Sequence, residues 1–523
     1  MRDDVTRAEN PAAPAQLQAE YEKKIEARDA EIAILREQVK CLKDRLFGRK
    51  SEKLHDDVAS QQPSLFELDA PEDLVEDEPS GETDEPAVAK DCKPRGRKKL
   101  PDWLLREQKI HDLSDEEKVC ACGCVKIHIG DDCSEVLERV PAQCFVVEHV
   151  RRKYACENPD CDVAMAGKST IVIAPPPARM IPKSLAGHSL LAQVMAAKFV
   201  DWLPFYRVEK QLRREGVVVP RQSMCRWAMK VADKFKPLWL LLLEDAKRHP
   251  YLQIDETTVQ VMNEPGRQNT SKSYMWVIRG GPPDRPIVLY KYHPSRAGRV
   301  AKELLKDFKG VVQTDGFEGY SFLDKKETGF IHAGCLAHAR RKFAAIVKMA
   351  GKNRKSGYAD KILEQFRRLY KVESEARDAG PNDLLLLEKR RQVSKPIMDA
   401  LHGLLLEAHG KVPPSSLLGS AVEYTLNQWP KLLEFLKNGL IKLDTNDVEN
   451  AIRPFVVGRK NWMFSGDPAG AEASAVLYSM VETAKAAGWE PYRWIRHVFD
   501  RLPTAHTEDE RRALLPNIPS EDA

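Results

Sequence analysis

"LQIDETTVQV", residues 252–261, sets an aspartate at the end of a short apolar run and follows it with Glu256 and two threonines. The run reads as a strand that should be burying itself, yet carboxylates are the side chains an apolar interior disfavours most. Strand-like runs recur downstream at "SYMWVIRG" (273–280), "RPIVLYKYH" (285–293), "GVVQTDG" (310–316) and "GFIHAG" (329–334), with a helical stretch from about 297 to 308 before "GVVQTDG". Three successive strands, a crossover helix and a further strand predict a mixed α/β sheet covered by helices.

The strand after that helix also ends on an aspartate, Asp315, followed by Gly316. One aspartate at a strand end is most often a turn residue. Two at matching positions can lie side by side if their strands are neighbours, and in a dry site one of the pair would protonate. A divalent cation removes that conflict, and hard oxygen donors with open water positions suit magnesium or manganese. A third element, "LDTNDVENAIRPFVVGRKNWMFSG" (443–466), lets Asp444 or Thr445 cap a helix with Glu449 and Arg453 on one face. Arg459, Lys460, Asn461 and Trp462 follow as a basic and aromatic run; alone, the Glu449–Arg453 spacing is that of an ordinary helix ion pair.

Working outward, 523 residues with 42% apolar content predict several units. The longest unbroken apolar run, 238–243, is far below the roughly 20 residues of a membrane span, and the opening "MRDDVTRAEN" has no apolar targeting segment, so a soluble cytoplasmic protein without a membrane partner is expected. The net charge of +4 says little, but its distribution is uneven: 67–85 carries only negative charge and "KPRGRKK" follows at 93–99. Tyr21, Ile25, Ile32, Leu35, Val39, Leu42 and Leu46 form a heptad seam broken at Arg28. That seam predicts a coiled coil over 1–53 with a basic end, and self-association as a homodimer or higher oligomer; an amphipathic helix packed on its own protein has the same pattern. Residues 54–98 read as an acidic flexible linker ending in the basic patch.

Seven of eleven cysteines lie between 120 and 161, which points to a metal rather than to disulfides. "CACGC" (120–124) and "CENPDC" (156–161), joined by alternating strand-like segments, suggest one structural zinc within a β module over 99–180. Spacing selects Cys120, Cys124, Cys156 and Cys161, with Cys122 a further possible ligand; small buried thiols in a β-rich domain are the alternative. Over 181–250, "YRVEKQLRREGVVVPRQSMCRWAMKVADKF" (206–235) has helix-turn-helix grammar, a second helix starting near Arg221. Arg221, Gln222 and Arg226 could then meet phosphates or base edges, although any two consecutive amphipathic helices look similar.

"QIDET", "QTDGFEGY", "CLAHARRKF" (335–343) and "NDVENAIRPFVVGRKNWMFSG" in this order resemble the transposases of the insertion-sequence-sixty-six family, a bacterial group of DDE transposases. The likeness extends to "LKDRLFGRKSEK" (42–53) and to the cysteine module, except that Val119 stands where that module usually begins with cysteine. The resemblance implies a multidomain α+β protein with an RNase H-like α/β catalytic domain and a catalytic triad of Asp255, Asp315 and Glu449 holding two magnesium or manganese ions. It implies a core over 251–344 and 436–500, a tail over 501–523, and a helical insertion over 345–435 filling the long stretch between Asp315 and Glu449. Cys335 and His338 match a Cys-x-x-His element similar to one that opens such insertions. The implied partners are insertion-sequence ends, target DNA and possible accessory proteins of the same element, at the bacterial nucleoid. Arg453, Arg459 and Lys460 become candidate phosphate clamps, and Trp462 a stacking platform for an end base. A DNA-binding accessory or repressor protein without chemistry, and a nuclease that never joins, are the competing readings.

Replacing Ile32 and Leu35 together with glutamate should disperse the heptad seam and reduce the assembled mass at matched concentration. Light scattering checks this, and an unchanged mass would place self-association elsewhere.

Overall fold

The computed structural model describes residues 142–156 and 171–516 except 326–328, 351–355 and 379–382, together with positions 28, 106, 136 and 137. The heptad seam apart from Arg28, the linker, and every candidate zinc ligand except Cys156 lie outside the described residues. The chain divides into two units, residues 77–148 and the remainder. Described residues of the first take neither helix nor strand, so all helices and strands among the described residues belong to the second. The expected strands across 142–152 do not form: these residues are exposed, and only Lys153–Ala155 (β1) pairs, antiparallel with Ile171–Ile173 (β2).

Among the described residues from 171 onward, three helices precede the main sheet. α1, His188–Phe199, is apolar nearly all round and buried. α2, Phe205–Arg214, buries only Val208 and Leu212 and ends on Arg213 and Arg214, the charge that suits a helix C-terminus. Gly216 at φ +84° makes the turn, a conformation glycine adopts without cost. α3, Arg221–Arg248, spans about 42 Å. Arg221, Gln222 and Arg226 in its first turns are exposed, while Met224, Trp227, Val231, Phe235, Leu238 and Leu242 join one apolar core with the sheet. The helix-turn-helix stretch is therefore built into the core unit.

Five strands form that sheet: β3 Tyr251–Gln260, β4 Lys272–Gly280, β5 Ile287–His293, β6 Gly310–Gln313 and β7 Phe330–Ala333, in the order β5-β4-β3-β6-β7. β3, β4 and β5 are an antiparallel meander; β6 and β7 run parallel to β3. α4, Gly298–Leu304, makes the crossover from β5 to β6. The register aligns Gln253 with Gln313.

Behind β7 come α5 Leu336–Ala350, α6 Tyr358–Asp378, α7 Asp383–Lys389, a π-turn Arg390–Ser394, α8 Lys395–Lys411 and α9 Leu417–Leu432. They enclose a second core around Phe343, Phe366, Leu401 and Val422. The chain returns through α10, Asn446–Trp462, which lies against β3 and β4, and α11, Pro468–Ala486. α11 closes the open edge of β5: Val288 N–H donates to Thr483 Oγ1 (3.1 Å), Thr483 Oγ1 donates to Val288 C=O (2.8 Å), and Tyr290 N–H donates to Ser479 Oγ (2.7 Å). An edge strand otherwise presents such groups as a template for aggregation. α12, Pro491–Arg501, and α13, Glu508–Arg512, complete the described chain.

The π-turn has an identifiable cause. Arg390 is fully buried, pairs with buried Glu373 at 2.6 and 2.9 Å, and donates to the carbonyls of Phe435, Asn438 and Ile441. It pins the insertion to the loop that leads back to α10. Arg390→Met should cost about 3–5 kcal/mol, because it leaves a buried carboxylate and three carbonyls without donors. Urea unfolding checks this, and a loss below about 1 kcal/mol would rule out the clamp.

Candidate active site

Side chains alternate along β3, so Gln253, Asp255 and Thr257 share the face toward α10, and Glu256 takes the other. Asp255 is 3% exposed. Its Oδ1 accepts from the Glu256 N–H at 2.7 Å, and its buried Oδ2 has no partner among the described residues. Burial pushes its carboxyl well above the usual range, and the charges of Asp315, Glu256 and Glu449 push the same way. Asp315, in the loop leaving β6, is likewise raised by burial, against the Phe317 N–H, Arg296, His332 and Lys431, which favour its charge. Glu449, 1% exposed, comes from the first turns of α10. Asp315 and Glu449, both distant from Asp255 in sequence, thus stand close enough for their charges to oppose its ionisation.

Their placement rests on two buried glutamines. Gln253 Oε1 accepts from Val448 N–H of α10 at 3.0 Å, and its amide donates to the Asp444 carbonyl (3.1 Å) and Tyr251 Oη (2.7 Å). Gln313 donates to the Gly334 and Lys442 carbonyls, both at 2.8 Å, and accepts from Tyr251 Oη at 2.5 Å. Gln253 lies two residues before Asp255 on β3, so the strand period that turns the amide toward α10 turns that carboxylate the same way; Gln313 likewise precedes Asp315 by two, across the end of β6. Cys335 adds a third hold, accepting from Thr445 N–H and Oγ1 at 3.3 Å.

The neighbouring charges are partitioned. Glu256 is buried, 2.5 Å from Arg296 Nε, and also accepts from Tyr320 Oη. Arg296 stacks on Phe317 at 3.6 Å. Glu256 is thus tied to Arg296 and Tyr320, although its charge still acts on Asp255. Glu449 receives Arg341 Nη2 on both oxygens, at 2.9 and 2.7 Å, with His338 Nε2 at 3.6 Å. Burial, helped by Arg341, holds the His338 imidazole down at about 4, and burial pushes the Cys335 thiol up to about 12. The Asp315 loop is braced by Thr314 Oγ1 with His332 Nε2 (2.8 Å), His332 Nδ1 with Asp324 (2.7 Å), and Lys431 with Asp324 (3.0 Å).

The other candidate residues scatter. Arg221, Gln222 and Arg226 are exposed on α3; Lys460 and Asn461 are exposed at the end of α10, and Arg453 is half-buried within it. Arg459 turns inward to Thr257 Oγ1 (3.1 Å) and Thr258 Oγ1 (3.0 Å). Trp462 lies edge-on to Phe455, with Lys198 5.0 Å over its ring. Cys156 is exposed. Sequence reasoning missed Gln253, Gln313, Arg296, Tyr320 and Arg341. A signal for the first two was present in the repeated Gln-x-Asp of "QIDET" and "QTDGF".

The family model described as Transposase IS66 family matches residues 183–473, and those of its C-terminal element, its N-terminal segment and its zinc-finger domain match 479–517, 34–108 and 117–161. The chain belongs to the IS66 transposase family. The uncharacterized protein y4jD of Sinorhizobium fredii is 32% identical to this IS66 transposase over 92% of the chain and 94% of its own length. A second protein of that organism, y4qI, is 31% identical over 93% and 88%. Among solved structures, the Drosophila P element transposase strand transfer complex matches at TM-score 0.35 and 10% identity, over 60% of this chain and 94% of that one. The zinc-finger match supports a zinc-binding module at 117–161. Among the described residues, no helix is long and apolar enough to cross a membrane.

The carboxylate set of this IS66 transposase fits a hard divalent cation. Asp255 Oδ2 is buried without a donor, and mutual repulsion leaves the group short of positive charge. The raised Asp255 carboxyl is protonated more readily folded than unfolded. Metal-free protein should therefore lose stability as pH rises from about 4 through the folded-state pKa. In EDTA, Asp255→Asn should be more stable than wild type at pH 8 by on the order of 1 kcal/mol, with a flatter pH profile. Magnesium should restore stability to wild type only. Urea unfolding at pH 5 and pH 8 checks this; equal slopes in both proteins would locate the repulsion elsewhere.

Proposed function

We propose that the chain is a DDE transposase with an RNase H-like catalytic core, which cleaves the ends of its insertion sequence and joins the 3′ ends to target DNA. The observation that carries this reading is the convergence of three buried carboxylates from separate elements, with the charges of Asp315 and Glu449 close enough to raise the Asp255 carboxyl. The sheet supports it: an antiparallel three-strand meander whose first strand continues into two parallel strands is the order an RNase H-like core requires. Asp255 would hold both of two magnesium or manganese ions, with Asp315 and Glu449 completing one site each. When bound, the ions would activate the attacking hydroxyl and neutralise the leaving oxygen.

Cleavage and joining differ only in nucleophile. Water attacks the scissile phosphorus and the 3′ oxygen leaves as a hydroxyl; that hydroxyl then attacks a target phosphodiester, one P–O bond forming as another breaks. Gln253 and Gln313 hold the carboxylate-bearing elements in register throughout, and Arg296 with Tyr320 holds the Glu256 side chain. Lys460 and Asn461, exposed beyond the carboxylates on α10, would meet the DNA backbone, with Arg453 beside them. Arg221, Gln222 and Arg226 on the exposed turns of α3 would contact the element's ends. Arg459, held by Thr257 and Thr258, would fix the end of α10 on β3, and Trp462 would present its ring to an end base. One zinc in the cysteine module and a coil-mediated dimer complete the assembly.

Purified protein with end-bearing DNA and magnesium should give nicked and joined products. Asp255→Asn, Asp315→Asn and Glu449→Gln should each lower both by on the order of a hundredfold or more while still shifting the DNA. Binding without any cleavage by wild type would favour the accessory-protein reading, and nicking without joining a nuclease.

A further inference from the structure

Glu449 belongs to two sets of neighbours: its charge acts on Asp255, and it is grouped with Cys335 and His338. Cys335 sits in the turn between β7 and α5, and His338 lies one helical turn into α5, so the Cys-x-x-His spacing presents both in the same direction. The Cys335 thiol, a His338 ring nitrogen and a Glu449 carboxylate oxygen all lie within 4.8 Å of one another. Cys335 and Glu449 are buried and His338 is half-buried. No part of the carboxylate chemistry uses the thiol or the imidazole.

Sulfur, nitrogen and oxygen donors on one centre are a borderline-soft set, suited to zinc and poorly suited to magnesium. Three protein ligands around an open fourth position are also the pattern of exchangeable zinc sites. We propose that Cys335, His338 and Glu449 form a second metal site, selective for zinc-class ions, whose occupation withdraws Glu449 from Asp255 and Asp315. On binding, the thiol proton passes to solvent as the sulfur–metal bond forms. Thr445 N–H and Oγ1 already point at that sulfur and would stabilise the thiolate. Arg341 is the competitor: it holds both Glu449 oxygens and must release one. Zinc occupancy would thus oppose magnesium-supported activity, a consequence that rests on the transposase reading, whereas the binding itself does not.

The test uses the full chain, because the cysteine module binds zinc as well and the readout must be a difference. Cys335→Ser keeps a small acceptor for Thr445 but removes the thiolate. After EDTA stripping and zinc loading, wild type should carry one ion more per chain than Cys335→Ser by elemental analysis. With cobalt(II) as the probe, the variant should lack part of the thiolate charge-transfer absorption. Arg341→Gln should bind the additional ion roughly tenfold more tightly, since the competing cation is gone. In nicking assays at saturating magnesium, zinc should inhibit wild type, and the half-inhibiting concentration should rise about tenfold or more in Cys335→Ser. If Cys335→Ser gives no cooperative melt, His338→Gln is read by the same measurements. Equal zinc content and an identical cobalt spectrum in wild type and the folded variant would overturn the site. Equal inhibition despite a lost ion would overturn the withdrawal of Glu449. An extra ion in a protein that never nicks DNA would overturn the transposase reading and leave the site standing.

Discussion

Two buried glutamine side chains hold the molecule's functional end together. A primary amide is neutral, so it can be buried where a charge cannot, and it offers both donors and an acceptor. Gln253 and Gln313, paired across β3 and β6 and joined through Tyr251, spend that capacity on loop carbonyls and on an otherwise unpaired N–H at the start of α10. The sheet thereby dictates where the returning chain enters. Glu449 follows one residue after the N–H that Gln253 captures, so its position against Asp255 is set by main-chain geometry rather than by a flexible tether.

The same region shows how one cluster of acids is divided into a neutralised and an unneutralised part. Glu256 has a guanidinium and a phenol; Asp255, its neighbour, has only one backbone N–H. Strand alternation causes the difference, sending one carboxylate toward Arg296 and the other toward α10. A protein selected for stability alone would not bury Asp255 against the charges of its acidic neighbours, and such groups gather where a cation is needed. Glu449 stands apart because Arg341 supplies it with a positive charge, so any ion there competes with a side chain already in place.

The long excursion between β7 and α10 could have loosened this arrangement. Instead, the insertion has a core of its own, and Arg390 fastens it to the loop over 435–441. A buried guanidinium with a carboxylate and three carbonyls is satisfied by all its partners together or by none. It therefore favours one seating of the insertion over neighbouring ones. Lys431, near the end of α9, reaches Asp324 and so joins the insertion to the brace under Asp315.

The sequence determined the kinds of element and the chemistry to look for. Apolar runs marked the five strands and the crossover helix, the pattern over 206–235 marked a second helix starting near Arg221, and ordered motifs marked the family. These are local signals, carried by side-chain period, turn chemistry and spacing. Local signals could not say that β3 would sit between β4 and β6, because strand order follows from which faces bury one another. They could not say that Arg459 would turn inward to Thr257 and Thr258, that Glu256 would be claimed by Arg296 and Tyr320, or that Arg341 would sit on Glu449. Each of those contacts joins residues far apart in the chain. The repeated Gln-x-Asp was visible in the sequence, but its meaning needed a third partner. Only the packed structure brings Val448 and the carbonyls of Lys442 and Asp444 within reach of those amides, because a buried hydrogen-bonding group is satisfied by whatever the fold places beside it.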